Sequence, residues 1–236
     1  MFMKDFSQSL SSFLNSWRLS VILGSVCCLA LMLAIALQPF FAVGDFTRDP
    51  ATIALHPPYF GAISNLGLLL WSASAAVCFL SGALLKVMQP ERPDLRAFFT
   101  VFAGLSTWLC LDDTFLLHEA ILPNRLPLVS IPEPVVVMLC GLALLGAMVC
   151  FRKLLLKNQP LLFGLILLLF SVSVGCDQFL PPERFSEDTV FLIEDGAKLL
   201  AIFLWLAYFV RASIYFVTPS LVTSSQIELH EPSRLA

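Results

Sequence analysis

Charged side chains are scarce in this chain. Only 13% of the residues are Asp, Glu, Lys or Arg, whereas a soluble globular domain has about a quarter. The hydrophobic share is 58%, and the mean hydropathy is +0.86. A composition this poor in charge excludes an ordinary soluble domain and predicts an integral membrane protein.

Basic stretches and the common catalytic motifs are also missing. The net charge is −3, and no run of Lys and Arg resembles a basic segment that binds the phosphate backbone of a nucleic acid. We therefore expect no nucleic-acid partner. The sequence contains no GxGxxG, Walker, GxSxG or HExxH motif. The seven cysteines lack CxxC or zinc-ligand spacing. Cys110 and Cys176 both approach the outer ends of predicted helices, which leaves a disulfide between them as an alternative to free thiols.

Six long apolar stretches predict an all-α bundle of six transmembrane helices. Their expected limits are Leu19–Leu37, Phe60–Leu85, Ala97–Ile121, Pro134–Phe151, Pro160–Cys176 and Val190–Val210. If the third stretch stopped at Leu111, it would be about 22 Å long, too short for a hydrocarbon core of about 30 Å. We therefore expect the third helix to continue through its acidic residues to Ile121. The predicted outer loops are short and rich in proline.

The membrane domain is expected to occupy residues 18–217. In residues 1–17, apolar side chains recur at helical spacing, which predicts either an amphipathic helix on the inner leaflet or a frayed lead-in. The first apolar run is longer than the core of a usual signal peptide and has no clear cleavage site, so it is expected to be an uncleaved span. Residues 218–236 are polar and predict a flexible cytoplasmic tail.

The basic residues indicate how the bundle is oriented. With six spans, 10 of the 14 Lys and Arg residues fall on the side that holds both termini, and the positive-inside rule makes that side cytoplasmic. Twelve of the 17 acidic residues lie at or toward the outer side. The skew fits a plasma (inner) membrane, with a thylakoid or another organelle membrane as the alternative.

Two groups of ionisable residues interrupt the apolar spans. The group in the third span is Asp112, Asp113, His118 and Glu119, and the group in the sixth is Glu194, Asp195 and Lys198. Ionisable side chains are costly in hydrocarbon and usually face the bundle interior or a water-filled cavity. Counting about 1.5 Å per residue from the inner interface places Asp112 at a similar depth to the three residues of the sixth span. His118 and Glu119 are expected nearer the outer interface. We therefore expect charges on these two helices to be partners, in an outward-facing polar site.

Helical phase divides the first group. On one continuous helix, Asp112 and Glu119 are seven residues apart and share a face, whereas Asp113 and His118 point in other directions. On the sixth span, Glu194 and Lys198 are four residues apart and can pair within their own helix.

The first functional hypothesis is a divalent-cation site. Its predicted ligands are Asp112, Glu119, Glu194, Asp195 and His118. Carboxylates suit Mg²⁺, Ca²⁺ or Mn²⁺, and a histidine ligand shifts the choice toward Mn or Zn. Such a centre could activate water for membrane-embedded hydrolysis of a lipid or small-molecule substrate. No other cofactor is expected.

Two further hypotheses compete with the metal site. The second is an ion-pair or proton relay in a small proton- or ion-coupled transporter, formed by Asp112, Asp113, Lys198 and Asp177. The inner halves of the predicted spans contain no charged residue. This absence favours a site that opens to one side over a pathway that crosses the membrane. The third is a non-catalytic scaffold or assembly subunit, in which Lys198 neutralises Asp112 or Glu194 and holds two helices in register. The sequence leaves open whether the protein is an enzyme.

Overall fold

The computed structural model describes residues 19, 21–23, 25–48, 50–124, 131–179 and 187–230. Throughout this part of the chain the secondary structure is helical, without a strand. The predicted lead-in, residues 1–17, lies outside the described residues, as do residues 231–236 of the predicted tail. The chain divides into two compact units, residues 1–62 and 63–236.

The first unit contains one apolar helix and two short ones. Helix α1 is Val21–Leu37, and it is followed by α2 (Val43–Thr47) and α3 (Pro50–Ile53). Gln38 ends α1, because its side-chain oxygen accepts from the backbone N–H groups of Phe40 and Phe41 at 2.9 Å. A side chain that binds the backbone in this way replaces the hydrogen bonds of a further helical turn.

The second unit contains the long helices. They are α4 (Ala62–Met88, which begins at the boundary), α5 (Pro93–Phe115), a π-helical turn (Leu117–Ile121), α6 (Leu122–Asn124), α7 (Glu133–Lys157), α8 (Pro160–Phe179) and α9 (Glu187–His230). Proline lies in the first turn of α5, α7 and α8, where its missing N–H costs no hydrogen bond. Proline therefore helps to define where three of these helices begin.

Four helices are long and apolar enough to cross a membrane: α4, α5, α7 and the part of α9 at Asp188–Thr218. The apolar segments of α1 and α8, Val21–Leu37 and Pro160–Cys176, are shorter. Large apolar side chains on these helices are strongly exposed, including Leu69, Leu80 and Leu156 at more than 60%, as expected for surfaces that face lipid. The protein is thus an all-helical membrane protein with four candidate spans. The six-span count and the side of the termini stay predictions.

An aromatic cluster forms the core where α5 packs against α9. Phe98 and Phe102 of α5 are fully buried, as are Trp205 and Phe209 of α9. The ring of Phe102 lies 5.0 Å from that of Phe209 and 5.8 Å from that of Trp205, measured between centroids. These are the tilted and edge contacts that aromatic pairs favour.

Gly82 lies where α4 packs against α5 at ordinary van der Waals distance. A Cβ added to Gly82 would lie 3.5 Å from Thr100 Oγ1 and 3.8 Å from Phe99 Cβ. Interfaces between membrane helices are often built on small residues, because they allow backbones to come near one another. Gly82 therefore marks the α4–α5 interface.

The third predicted span ends earlier than expected. Helix α5 begins at Pro93 instead of Ala97 and stops at Phe115, so its 23 residues extend for about 34 Å. The expectation of one helix through Ile121 was wrong, because the four residues gained at the start make that extension unnecessary. Leu116 has φ 51° and ψ 48°, a left-handed conformation that ends an α-helix.

Helix α9 contains the second ionisable group, as predicted, but it is longer than expected. It runs without interruption from Glu187 to His230, past residue 218, at which the tail was expected to begin. The predicted mobility of the tail stays a prediction.

Candidate functional site at the carboxyl end of α5

Helix α5 ends two residues after its acidic pair, before the left-handed Leu116. The backbone N–H of Leu116 donates to the carbonyl of Asp112. The Leu116 carbonyl then accepts from the N–H groups of Ala120 at 2.8 Å and Ile121 at 3.2 Å. A left-handed conformation costs a non-glycine residue about 1–2 kcal/mol, so the contacts made after the turn must offset that cost. After this turn His118 lies in contact with Asp112.

Asp112 and His118 form a local pair. The Asp112 carboxylate accepts from the backbone N–H of His118 at 2.9 Å, and its other oxygen lies 2.7 Å from Nδ1 of the same residue. The two side chains are only 8% and 18% exposed. An ionised carboxylate only accepts hydrogen bonds, so the pairing selects the tautomer or charge state of His118 that has hydrogen on Nδ1. The carboxylate therefore fixes the orientation of the ring.

Asp113 makes the long-range pair. Lys198 Nζ of α9 donates to its Oδ1 at 2.8 Å, and the indole N–H of Trp71 on α4 donates to its Oδ2 at 3.0 Å. The Asp113 side chain is 14% exposed. Its carboxylate thus receives one cation and one neutral donor, and it joins three helices of the second unit.

The indole of Trp71 is itself held by neighbouring rings. It stacks on Phe170 of α8 with an interplanar angle of 4° and meets Trp205 edge-on at 5.8 Å. Trp205 in turn donates to the hydroxyl of Ser106 at 2.9 Å, in a fully buried contact. This packing limits the motion of the donor that contacts Asp113.

A small cavity adjoins the Asp113–Lys198 pair. It has a volume of about 30 Å³ and is lined by Ile63, Ser64, Gly67, Asp113, Asp195, Lys198, Leu199 and Ile202. A cavity needs about 10–15 Å³ to hold one water. The space therefore suits about two waters or one small ion and is too small for an organic substrate.

The partners differ from those predicted. Lys198 contacts a carboxylate of α5, as matched depths on the two helices predict, but that carboxylate belongs to Asp113 and not to Asp112. His118 lies against Asp112, which helical phase had placed on another face, because the helix does not continue past Phe115.

The remaining predicted residues are less closely associated with the pairs. Asp195 lines the cavity, whereas half-buried Glu194 is not part of its wall. The side chains of Glu119 and Asp177 lie outside the described residues. Their predicted roles stay predictions.

The described side chains do not support the metal hypothesis. Among them, no group of three or more His, Cys, Asp or Glu residues is arranged to hold a metal ion. Both oxygens of Asp112 and both of Asp113 already accept hydrogen bonds within the protein. The side chain of Glu119 lies outside the described residues. Metal binding by Asp112, His118, Glu119, Glu194 and Asp195 as a set stays a prediction.

Sequence reasoning missed Trp71 and Ser106. A buried indole N–H almost always has an acceptor, so a tryptophan within a span was the available signal for a nearby carboxylate. Ser74, three residues after Trp71, donates to the Leu70 carbonyl of its own helix. All seven cysteines are free thiols, so Cys110 and Cys176 form no disulfide.

Comparison with known proteins identifies the family. A family model described as a domain of unknown function (DUF8692) matches residues 21–212, most of the chain, and the protein belongs to this family. No curated protein and no solved structure matches the chain.

Proposed function

We propose that this DUF8692 protein is a multi-pass membrane protein that binds and releases protons at the carboxyl end of α5, as a small proton-coupled transporter does. Asp112 and His118 are the proposed proton-exchanging pair. Asp113 and Lys198 are the proposed ion pair that responds when Asp112 and His118 bind or release a proton. The observation that carries the proposal is the 2.7 Å contact between Asp112 and His118 in a low-exposure setting.

The chemistry of the pair supports proton exchange. Histidine is the side chain whose charge ordinarily changes between about pH 5 and 8, and an adjacent carboxylate can accept or stabilise its proton. Ionisable groups inside membrane helices mark ion and proton pathways by default. The neighbouring cavity of about 30 Å³ has room for water beside Asp113, and water can carry protons to and from the site.

Buried hydroxyls toward the other end of the bundle also support a coupled transporter. Ser106 lies within reach of Trp205, and the hydroxyl of Ser81 on α4 lies 2.7 Å from that of Ser213 on α9. These serines supply polar groups between helices in the half of the bundle away from the Asp112–His118 pair. Movement of α9 against α4 is the proposed means of coupling.

A structural role is the second candidate. It is favoured by the mutual satisfaction of the groups, because each carboxylate oxygen of the two pairs has a donor. In a scaffold the pairs would fix the register of α4, α5 and α9 without changing protonation.

The distinguishing experiment is a pH titration of the protein in lipid nanodiscs. Nitrogen-15 NMR of labelled histidine would follow the protonation of each ring, and His118→Gln would identify the signal of His118. We expect His118 to titrate reversibly and the fluorescence of Trp71 to change over the same range, since its indole contacts Asp113. In Asp112→Asn, the His118 titration should shift.

The control for this titration is His56→Gln. His56 stacks on Phe60 in the first unit and should leave the Trp71 fluorescence change intact. A His118 ring that keeps one protonation state from about pH 5 to 8, with no Trp71 response, would favour the structural role.

The metal hypothesis has a separate readout. Elemental analysis by ICP-MS of the detergent-purified protein, beside Asp112→Ala/Glu194→Ala, would detect a bound ion. Near-stoichiometric metal that is lost in the double variant would replace the proton-exchange proposal with metal-dependent hydrolysis.

A further inference from the structure

A second cavity lies at the opposite end of α5. It opens between the beginning of α5 and the end of α7, and its volume is about 590 Å³, within the range of about 300–1,000 Å³ that is usual for ligand sites. Its charged lining consists of Arg92, Asp94, Arg152, Lys153 and Lys157. We call it the α5–α7 cleft. It is separate from the site at Asp112 and Asp113.

The charges of the cleft do not cancel. Arg92 binds Asp94 through two hydrogen bonds of 2.9 and 3.0 Å, and this contact raises the pKa of Arg92. The pair is neutral together. The side chains of Arg152, Lys153 and Lys157 form no hydrogen bond or ion pair with any described residue, so the cleft has a surplus of three positive charges.

The geometry of α7 gathers these three cations. At about 100° per residue, positions 152, 153 and 157 fall within an arc of roughly 140° on one side of a helix. The helix is kinked immediately before them, at Phe151, which has φ −105° and ψ 16°. Phe151 also lines the cleft and packs edge-on against Phe98 of α5 at 5.6 Å, which anchors the kink to the core.

A nearby arginine adds an unsatisfied donor at this end of the bundle. The Nε of Arg96, one helical turn after Arg92, is buried and has no hydrogen-bond partner among the described residues. Buried donors normally have an acceptor, so this end of α5 has donors in excess.

We propose that the α5–α7 cleft binds the phosphate headgroup of an anionic phospholipid. Basic pockets between membrane helices on the cytoplasmic side bind such headgroups, and the positive-inside rule places this end of the bundle there. Val149 and Leu154 line the same cleft and offer an apolar wall beside the cations. That combination fits a lipid, with a charged head and attached chains, better than free phosphate.

The test is native mass spectrometry of the full-length protein released from mixed micelles of phosphatidylglycerol and phosphatidylcholine. We expect phosphatidylglycerol to be retained at least tenfold over phosphatidylcholine. Each surface cation contributes roughly fivefold to binding of an anionic lipid. Lys153→Gln should therefore lower phosphatidylglycerol retention about fivefold, and Arg152→Gln/Lys153→Gln/Lys157→Gln should remove the preference.

Lys86→Gln is the matched control. Lys86 is an exposed lysine in the last turn of α4, toward the same side of the membrane, but it does not line the cleft. Equal losses in Lys86→Gln and Lys153→Gln would overturn the proposal in favour of general surface electrostatics. Displacement of the lipid by millimolar inorganic phosphate, without any preference for phosphatidylglycerol, would overturn it in favour of a free-phosphate site. Unchanged circular dichroism and gel-filtration profiles would show that the variants fold.

Discussion

The two halves of α5 are stabilised by different interactions. The first half contributes Phe98, Phe99 and Phe102, all fully buried, to a cluster of rings. The second half contributes Ser106, Asp112 and Asp113, which contact other helices or the following turn through hydrogen bonds. One helix therefore supplies both an apolar core and a polar site.

The two kinds of interaction indicate where the protein can change state. Ring packing depends on shape, and close-packed interiors resist rearrangement. Hydrogen-bonded ion pairs depend on protonation and hydration, which vary with conditions. We therefore expect the aromatic half to keep one arrangement, and the polar half to change with protonation and hydration.

Removing a ring from the aromatic half should give the largest effect on stability. Phe102→Ala leaves a cavity among five other aromatic rings. In lipid, transfer of the side chain away from water contributes little, but the lost packing contacts still cost stability. We therefore expect the free energy of unfolding to fall by about 3–4 kcal/mol, near the lower end of the range for Phe→Ala in a core. Reversible unfolding in mixed SDS and dodecylmaltoside micelles would measure it.

Phe79→Ala on α4 is the control for Phe102→Ala. Phe79 is 53% exposed, so its loss should cost less than about 1 kcal/mol. Similar costs for the two variants would mean that the aromatic half is not a packed core.

Removing the long-range cation should have the next largest effect. Lys198→Met leaves the Asp113 carboxylate without its cation. Breaking a buried ion pair costs about 3–5 kcal/mol. Because the Lys198 side chain is 37% exposed, we expect the free energy of unfolding to fall by only about 2–3 kcal/mol. The same unfolding measurement applies.

The double variant Asp113→Asn/Lys198→Met separates pairing from packing. Most of the stability lost in Lys198→Met should return, because the Asp113 charge that Lys198 compensates is removed with it. If the double variant is less stable than Lys198→Met, the cost comes from lost packing of the lysine stem and not from the charge.

Most of the fold could be predicted because it depends on composition and periodicity. The apolar stretches correctly indicated an all-helical membrane protein. The helix limits were less accurate, because they depend on local interactions such as Pro93 at the start of α5 and left-handed Leu116 at its end. A leucine in that conformation leaves no signal in the sequence, since glycine or asparagine is the residue expected there.

Some of the predicted charges do contact one another, but the pairs differ from those expected. Depth along a helix can be predicted from a count of residues. That count correctly predicted that Lys198 lies level with the acidic pair on α5. Partner choice depends on direction around the helix, and the direction assigned to His118 assumed a helix that in fact stops at Phe115. Trp71 was missed because a tryptophan in an apolar run is indistinguishable from core until its acceptor is located.

Removing the neutral donor to Asp113 should destabilise the polar half of α5 by a smaller amount than removing the cation. Trp71→Phe keeps a ring against Phe170 but removes the hydrogen bond of 3.0 Å. One hydrogen bond to a charged group at a partly buried position contributes about 1–2 kcal/mol. Trp108→Phe is the matched control, since its indole donates only to Cys140 sulfur at 3.3 Å and the ring is 41% exposed. Equal losses in the two variants would mean that the Trp71–Asp113 bond contributes nothing specific.

The smallest effect is expected at the turn that separates α5 from His118. Leu116 is 47% exposed and left-handed, so Leu116→Gly should relieve strain and change stability by less than about 1 kcal/mol. Leu116→Val should instead cost about 1 kcal/mol or more, because a β-branched residue tolerates this conformation poorly. Unfolding measurements would compare stability, and histidine NMR would report whether His118 still meets Asp112. If valine were tolerated as well as glycine, the left-handed turn would not be what positions His118, and the polar half of α5 would owe its geometry to the ion pairs alone.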